Sequence, residues 1–351
     1  MRRIHIVESF GSENHAGPKA QRDIAEILTK NGWQPFEVWR LASKNPFLKF
    51  LGRIIWVVSA WFYRMLIHRG DTIVLQYPGV AFANRATFFL FDEKAKKRLA
   101  YKLITIVHDL YDFRDGLHRL TESEQRLFLL SDVVIVHNGG MRDAVSKCGV
   151  DKNKLITLNC FDYLSDAAMV ETRSYAPNIN VAGNLNFKRS GWMRGLVGFE
   201  GISWTLFGTN YDPNELNPSK FSYRGCIRAE ELPSKLENGF GLIWYGESSD
   251  VPRGDIIDYV RIINPHKLSL YLASGLPCIV WAESGVADFV LEHRVGLAIN
   301  CLTELERAVL EINSDEYARM ATNAAIIGNK LLRGEYTLNA VETAIKRIEV
   351  G

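Results

Sequence analysis

The 351-residue chain is 47% hydrophobic and 23% charged, which excludes a disordered or collagen-like polymer and supplies enough apolar surface for sizeable cores. Its 42 Lys and Arg stand against 40 Asp and Glu, a net charge of +2, so no global basic field supports binding to nucleic acid. Cys148, Cys160, Cys226, Cys278 and Cys301 are scattered and form no CxxC pair, which argues against a disulfide framework and a zinc site and for a reducing cytoplasm.

Residues 3–8 predict a strand; Glu8 breaks the apolar run too early for a signal peptide. A polar, Gly-rich loop follows, then a helix that Pro18 opens and Asn31-Gly32 closes. Residues 33–39 alternate like a second strand. Residues 47–67 are very apolar, but Lys49, Arg53 and Arg64 interrupt them, so a spanning helix is disfavoured. They predict a long helix, buried or docked on the protein surface. The alternative is a membrane-interface helix with Trp56, Trp61 and the arginines at the headgroups. Short apolar strands at 72–76, 103–107, 133–136 and 155–158 then alternate with helices near 85–99, 121–130 and 141–147.

Residues 162–177 lose this rhythm and read as a linker. Strands resume at 178–182, 203–207, 221–223, 240–244, 278–281 and 296–299, with Gly183-Asn184-Leu185 as a turn, helices at 229–237 and 265–274, and two or three helices at the end. Apolar strands alternating with helices mean parallel sheets covered on both faces. The fold class is therefore α/β, two Rossmann-like doubly wound domains facing a cleft, with C-terminal helices. The domains are 1–165 and 166–351, and the last helix is free to pack back on the first.

Four stretches carry candidate chemistry. Gly183 and Asn184 leave a strand where backbone amides can approach an anion, and Lys188 and Arg189 could neutralise a diphosphate; a plain turn with solvated basic residues is the other reading. In the second, Asn264 can cap a helix with Pro265 in its first turn, which sets Lys267 near the positive end; a surface lysine on a capped helix is the alternative. In the third, His108 and Asp109 close a buried strand, where an imidazole could bond a sugar hydroxyl and a carboxylate could take a proton; a packed histidine and a capping aspartate fit as well. The fourth is the first loop, with Glu13, His15 and Gly17, which lacks GxGxxG spacing and suits a sugar, or is simply solvated. No metal-ligand spacing, GxSxG or Walker loop occurs.

Together these stretches resemble the two-domain, GT-B type nucleotide-sugar glycosyltransferases, above all bacterial β-1,6-galactofuranosyltransferases and the related glucosyltransferases that extend O-glycans on serine-rich repeat adhesins. The likeness covers nearly the whole chain. It rests on Ala16-Gly17-Pro18-Lys19-Ala20, Gly70-Asp71 with Gln76-Tyr77-Pro78, His108-Asp109, Ile135-Val136-His137-Asn138, Phe161-Asp162-Tyr163, Ala182-Gly183-Asn184, and Pro265-His266-Lys267-Leu268 through Gly275-Leu276-Pro277.

The resemblance implies a UDP-sugar held mostly by the second domain. Gly183, Asn184, Lys188 and Lys267 match diphosphate-binding positions, and Asn264 joins them as a substrate-binding candidate. It also implies a glycan or lipid-linked glycan acceptor on the first domain, and no metal or other cofactor, because lysines and helix dipoles replace the divalent ion. The large retaining family of this fold carries two glutamates with seven residues between them. Counting back from Gly275, those places hold Leu270 and Ile262, which favours inversion with a single general base. Asp109 is the first choice, with His15 and Glu13 as rivals and His108 beside it.

The expectation is an inverting galactofuranosyltransferase of cell-surface polysaccharide synthesis, cytoplasmic, with a position at the inner face of the membrane, peripheral membrane contact and a homo-oligomer left open. A UDP-glucose-dependent glucosyltransferase on protein-linked glycans and a silent sugar-nucleotide-binding subunit are the alternatives.

Overall fold

The computed structural model describes residues 2–9, 18–39, 45–78, 93–167, 169–188, 190–217, 219–248 and 250–350. The first elements in chain order are β1 (Arg3–Ser9), α1 (Lys19–Lys30), β2 (Gln34–Trp39), α2 (Pro46–Leu66), β3 (Thr72–Tyr77), α3 (Glu93–Leu99), β4 (Lys102–Val107), α4 (Tyr111–Arg114), α5 (Glu122–Leu130), β5 (Val133–Val136), α6 (Gly139–Lys147) and β6 (Leu155–Thr157). They are followed by β7 (Asn178–Asn184), β8 (Ser203–Thr209), β9 (Phe221–Tyr223), α7 (Leu232–Lys235), β10 (Phe240–Ile243), α8 (Ile257–Val260), α9 (His266–Leu272), β11 (Cys278–Trp281), α10 (Ala287–Glu292), β12 (Gly296–Ile299), α11 (Leu305–Leu310), α12 (Ser314–Leu332) and α13 (Glu335–Val350).

The chain divides into two compact units. One comprises residues 1–113, 117–158 and 337–351, the other residues 114–116 and 159–336. The main division falls at 158/159, where the sequence alone predicts 165/166. Most of α13 belongs to the first unit, where Arg347 donates to the carbonyls of Asn153 and Leu155 at 2.7 and 3.1 Å.

Each unit is built on a six-stranded parallel sheet. The first runs β2-β1-β3-β4-β5-β6 and the second β12-β11-β10-β7-β8-β9. β3, β5, β10 and β11 are buried at every position, because helices cover both faces of a parallel sheet; for this reason β5, β10 and β11 carry no polar side chain, and β3 only Thr72, Gln76 and the Tyr77 hydroxyl. Local signals set several helix starts. Thr121 and Glu124 form a reciprocal capping box on α5, and Asn138 accepts the N–H of Met141 to open α6. The second sheet has apolar cores on both faces, one around Trp192, Trp204 and Trp244, the other around Phe207, Leu268 and Val280.

Several expectations need correction. Gly183 and Asn184 are not a turn: β7 continues through them, in register with Gly208 and Thr209 of β8. The segment beyond is a 3₁₀ stretch, Gly191–Gly198. The helix expected over 229–237 shrinks to α7, four residues long. Of the two placements expected for residues 47–67, α2 takes the surface one: it lies along the edge strand β2, and its other side is exposed along its whole length. Apolar content alone cannot tell those two placements apart. Among the described residues, no helix is long and apolar enough to cross a membrane.

Candidate active site

In the second sheet the chain builds β7, β8 and β9 outward to one side, then returns to β10, β11 and β12 on the other. β7 and β10 are therefore neighbours whose chains depart in opposite directions, the place where open α/β sheets bind ligands at their carboxyl edge. The two strands pair at only two registers, Phe240 with Ile179 and Gly241 with Asn180. Beyond that point the hydroxyl of Tyr271, on α9, takes the place of the ladder. It accepts the N–H of Ala182 at 3.0 Å and donates to the carbonyl of Leu242 at 3.3 Å. Tyr271 reaches there because Gly241 has no side chain: a Cβ would stand 2.2 Å from the ring. The apolar surroundings raise the phenol pKa, so it stays a neutral donor.

Past this bridge stand Gly183, the sixth residue of β7, and Tyr245, two residues after β10. Lys267, the second residue of α9, reaches between them. A Cβ on Gly183 would lie 3.3 Å from its Cε and 3.7 Å from its Nζ, and that Nζ sits 5.0 Å from the centre of the Tyr245 ring. The aromatic face offers a weak cation site. Among the described residues no carboxylate pairs with Lys267. Burial pushes its ammonium down to about 8, so it remains mostly charged at neutral pH. An uncompensated lysine at a sheet's carboxyl edge is suited to a ligand anion. Beside it is a narrow apolar recess lined by Ile243, Tyr245, Pro252, Val260, Pro265, Trp281 and Ser284.

The other expected residues of this unit are placed as follows. Asn184 ends β7, and its Oδ1 accepts from Asn186 N and Asn210 Nδ2, each at 3.0 Å. Lys188 is exposed in the next turn, with its backbone N–H bound to Asn186 Oδ1 at 2.8 Å. Asn264 is buried and is not the cap of α9. Pro265 takes the cap position, and Asn264 donates to the carbonyl of Asn159 at 2.8 Å. Ile262 is half-buried and Leu270 fully buried.

In the first sheet the order reverses between β1 and β3. The loop after β1, with Glu13, His15 and Gly17, lies outside the described residues. At the ends of β3 and β4, side chains form a chain of bonds. Gln21 donates to the carbonyl of Pro78 at 2.9 Å, Gln76 donates to the carbonyl of Gln21 at 3.0 Å, and Gln76 Oε1 lies 2.8 Å from His108 Nε2. With the Gln76 amide nitrogen committed to Gln21, its oxygen accepts, so His108 Nε2 carries the proton in this arrangement. Asp109 follows, half-buried, one residue beyond. Lys19 is buried and pairs with Asp23 at 2.5 and 2.7 Å. Among the described residues no group of three or more His, Cys, Asp or Glu side chains is placed to hold a metal ion.

Sequence reasoning missed Tyr245, Tyr271 and Gln76 as parts of these sites. Tyr245 carried a signal, since it follows the strand predicted at 240–244. Tyr271 carried none, because only the opposing glycine explains where its ring goes.

Comparison with known proteins adds to this geometry. Residues 3–160 match the model of the glucosyltransferase 3-like N-terminal domain, and residues 179–344 that of the glucosyltransferase 3-like C-terminal domain. The chain is 28% identical over 340 residues to the beta-1,6-galactofuranosyltransferase WbbI of Escherichia coli (strain K12), covering 95% of this chain and 96% of that protein. It is 26% identical over 355 residues to glucosyltransferase 3 of Streptococcus gordonii, covering 99% of both. Among solved structures, HepE of Anabaena in complex with UDP superposes with a TM-score of 0.61 at 11% identity, over 98% of this chain and 100% of that one.

Proposed function

The chain belongs to the glucosyltransferase 3-like family of glycosyltransferases with the GT-B fold, and on that premise we propose that it transfers galactofuranose from UDP-galactofuranose to a glycan acceptor, inverting the anomeric centre without a metal ion. One observation carries the donor half of this reading: the ammonium of Lys267, which has no carboxylate partner among the described residues, stands against Gly183 at the β7–β10 crevice. A diphosphate there would find a cation that no carboxylate among the described residues neutralises, and a backbone approach that a Cβ would obstruct. The galactofuranosyl choice is supported by the 28% identity with WbbI over almost the whole of both chains.

In this mechanism an acceptor hydroxyl attacks the anomeric carbon. The bond from that carbon to UDP breaks, and its electron pair leaves on the β-phosphate. Lys267 offsets the charge that develops there. Asp109 accepts the proton of the attacking hydroxyl, and His108, oriented by Gln76, bonds a sugar hydroxyl. Asn184 and Lys188 complete the donor contacts.

A second reading, glucosyl transfer from UDP-glucose, is supported by the 26% identity with glucosyltransferase 3. Incubation with UDP-galactofuranose, UDP-glucose and UDP-galactose in EDTA, with and without glycan acceptors, tests both. Transfer from the furanose donor alone is the expected result. Transfer from UDP-glucose alone selects the second reading, and binding without turnover of any donor makes the chain a silent subunit.

A further inference from the structure

We infer that the outer side of α2 is a docking surface for an anionic phospholipid bilayer, on which the helix lies flat. Phe47, Leu51, Ile54, Val58, Trp61 and Met65 recur at alternating steps of four and three and form one stripe along the helix. Each is between 39% and 71% exposed. Phe50 on one border and Leu48, Ile55 and Phe62 on the other are exposed as well, so the apolar band is wide rather than a narrow seam. At about 200 Å² per large side chain the band amounts to roughly 1,000 Å², well beyond the few hundred Å² that monomers leave in one patch.

The charge around this band decides what covers it. Between Glu37 and Asp71 the sequence holds six Lys and Arg and no Asp or Glu, in a chain whose net charge is only +2. Helix positions 53 and 64, both arginine, are eleven residues apart and fall on one line beside the stripe. A second copy docked through this face would set two acid-free basic segments against each other. Anionic headgroups complement them, while the acyl boundary receives the apolar side chains. The helix is too short in uninterrupted apolar residues to span, which leaves it lying in the interface.

Co-sedimentation of the full chain with vesicles tests this. With phosphatidylcholine containing about 30% phosphatidylglycerol, at about 50 mM salt, most of the protein should pellet. With pure phosphatidylcholine it should not, and about 500 mM salt should cut the bound fraction several-fold. The double variant Val58→Asp, Trp61→Ser should stay in the supernatant while melting within a few degrees of wild type by circular dichroism. If that variant does not fold, brominated phosphatidylglycerol should still quench tryptophan fluorescence of the wild type. Wild-type protein left in the supernatant at low salt, a folded variant that pellets like wild type, or an absence of quenching each overturns the inference. So does a wild-type dimer in light scattering with no vesicle binding.

Discussion

The hydroxyl of Tyr271 takes the backbone N–H of Ala182 at 3.0 Å and so stands in for a strand that β7 would otherwise need at that point. Its own proton goes to Leu242, on the strand that has moved away. The bridge closes the polar accounting of two buried strands and lets the sheet open toward Gly183 and Lys267.

Removing that hydroxyl should therefore cost more than one average hydrogen bond. In Tyr271→Phe the N–H of Ala182 and the carbonyl of Leu242 lose a buried partner each, and urea unfolding should show a loss of about 1–3 kcal/mol. Gly241 leaves room for the ring in both proteins, so the fold itself should persist.

Lys267→Ala removes a charge-assisted contact of roughly 1.5–3 kcal/mol, and calorimetric titration with UDP in EDTA should show about 10- to 100-fold weaker binding. An unchanged affinity would place the diphosphate elsewhere. The pH dependence has a definite sign. With the ammonium at about 8, wild-type affinity should fall as pH rises through 8, and binding just above that pH should take up a proton. Without ligand, folding lowers this lysine from its usual 10.5, so its cost to stability is fully present below pH 8 and fades toward 10.5. Lys267→Met should accordingly melt higher than wild type at pH 7, with the gap closing by pH 10.

Gly183→Ala probes the same contact from the strand. Its φ of +134° suits glycine, and the added methyl would meet Lys267 Cε at 3.3 Å. Weaker UDP binding with a modest loss of stability is expected. Gly208→Ala, whose methyl would stand only 1.7 Å from the carbonyl oxygen of Gly183, should instead fail to fold.

Asp109→Asn keeps the size of the side chain and removes the base. Single-turnover transfer should fall by about 10²–10⁴ while UDP affinity holds, since Asp109 and Lys267 belong to different units. Near-wild-type transfer would move the base to another residue, with His15 next in line.

Two buried histidines should make the fold acid-sensitive. His5 gives Nε2–H to Thr29 Oγ1 at 3.0 Å, and His137 gives Nε2–H to the carbonyl of Val107 at 3.1 Å. Burial pushes both down to about 4. The unfolded chain then binds more protons between pH 4 and 6.5, so stability is lost as pH falls through that window. Denaturation followed from pH 7 to 4.5 should show roughly 2 kcal/mol lost per pH unit at the steepest point, and His5→Gln should flatten that slope.

Much of this protein was determined locally. Parallel strands buried on both faces are predominantly apolar, so β3, β5 and β11 announced themselves, and the asparagine, proline and glycine at the ends of α1 and α9 marked those elements. The resemblance singled out Lys267 and Gly183 without showing that they touch. Tertiary structure decided the rest. The pairing of β10 with β7, some sixty residues apart, leaves no mark in either strand, yet it creates the switch point, and pairing with β8 carries β7 through Gly183 and Asn184. The ring of Tyr271 finds its place only because Gly241 lies opposite it. The outer side of α2 is as apolar as a buried helix would be, and its exposure follows from its position against an edge strand, where the sheet supplies a surface to one side only. A sequence records the free energy available from burying each side chain; strand order and packing decide which of them are buried.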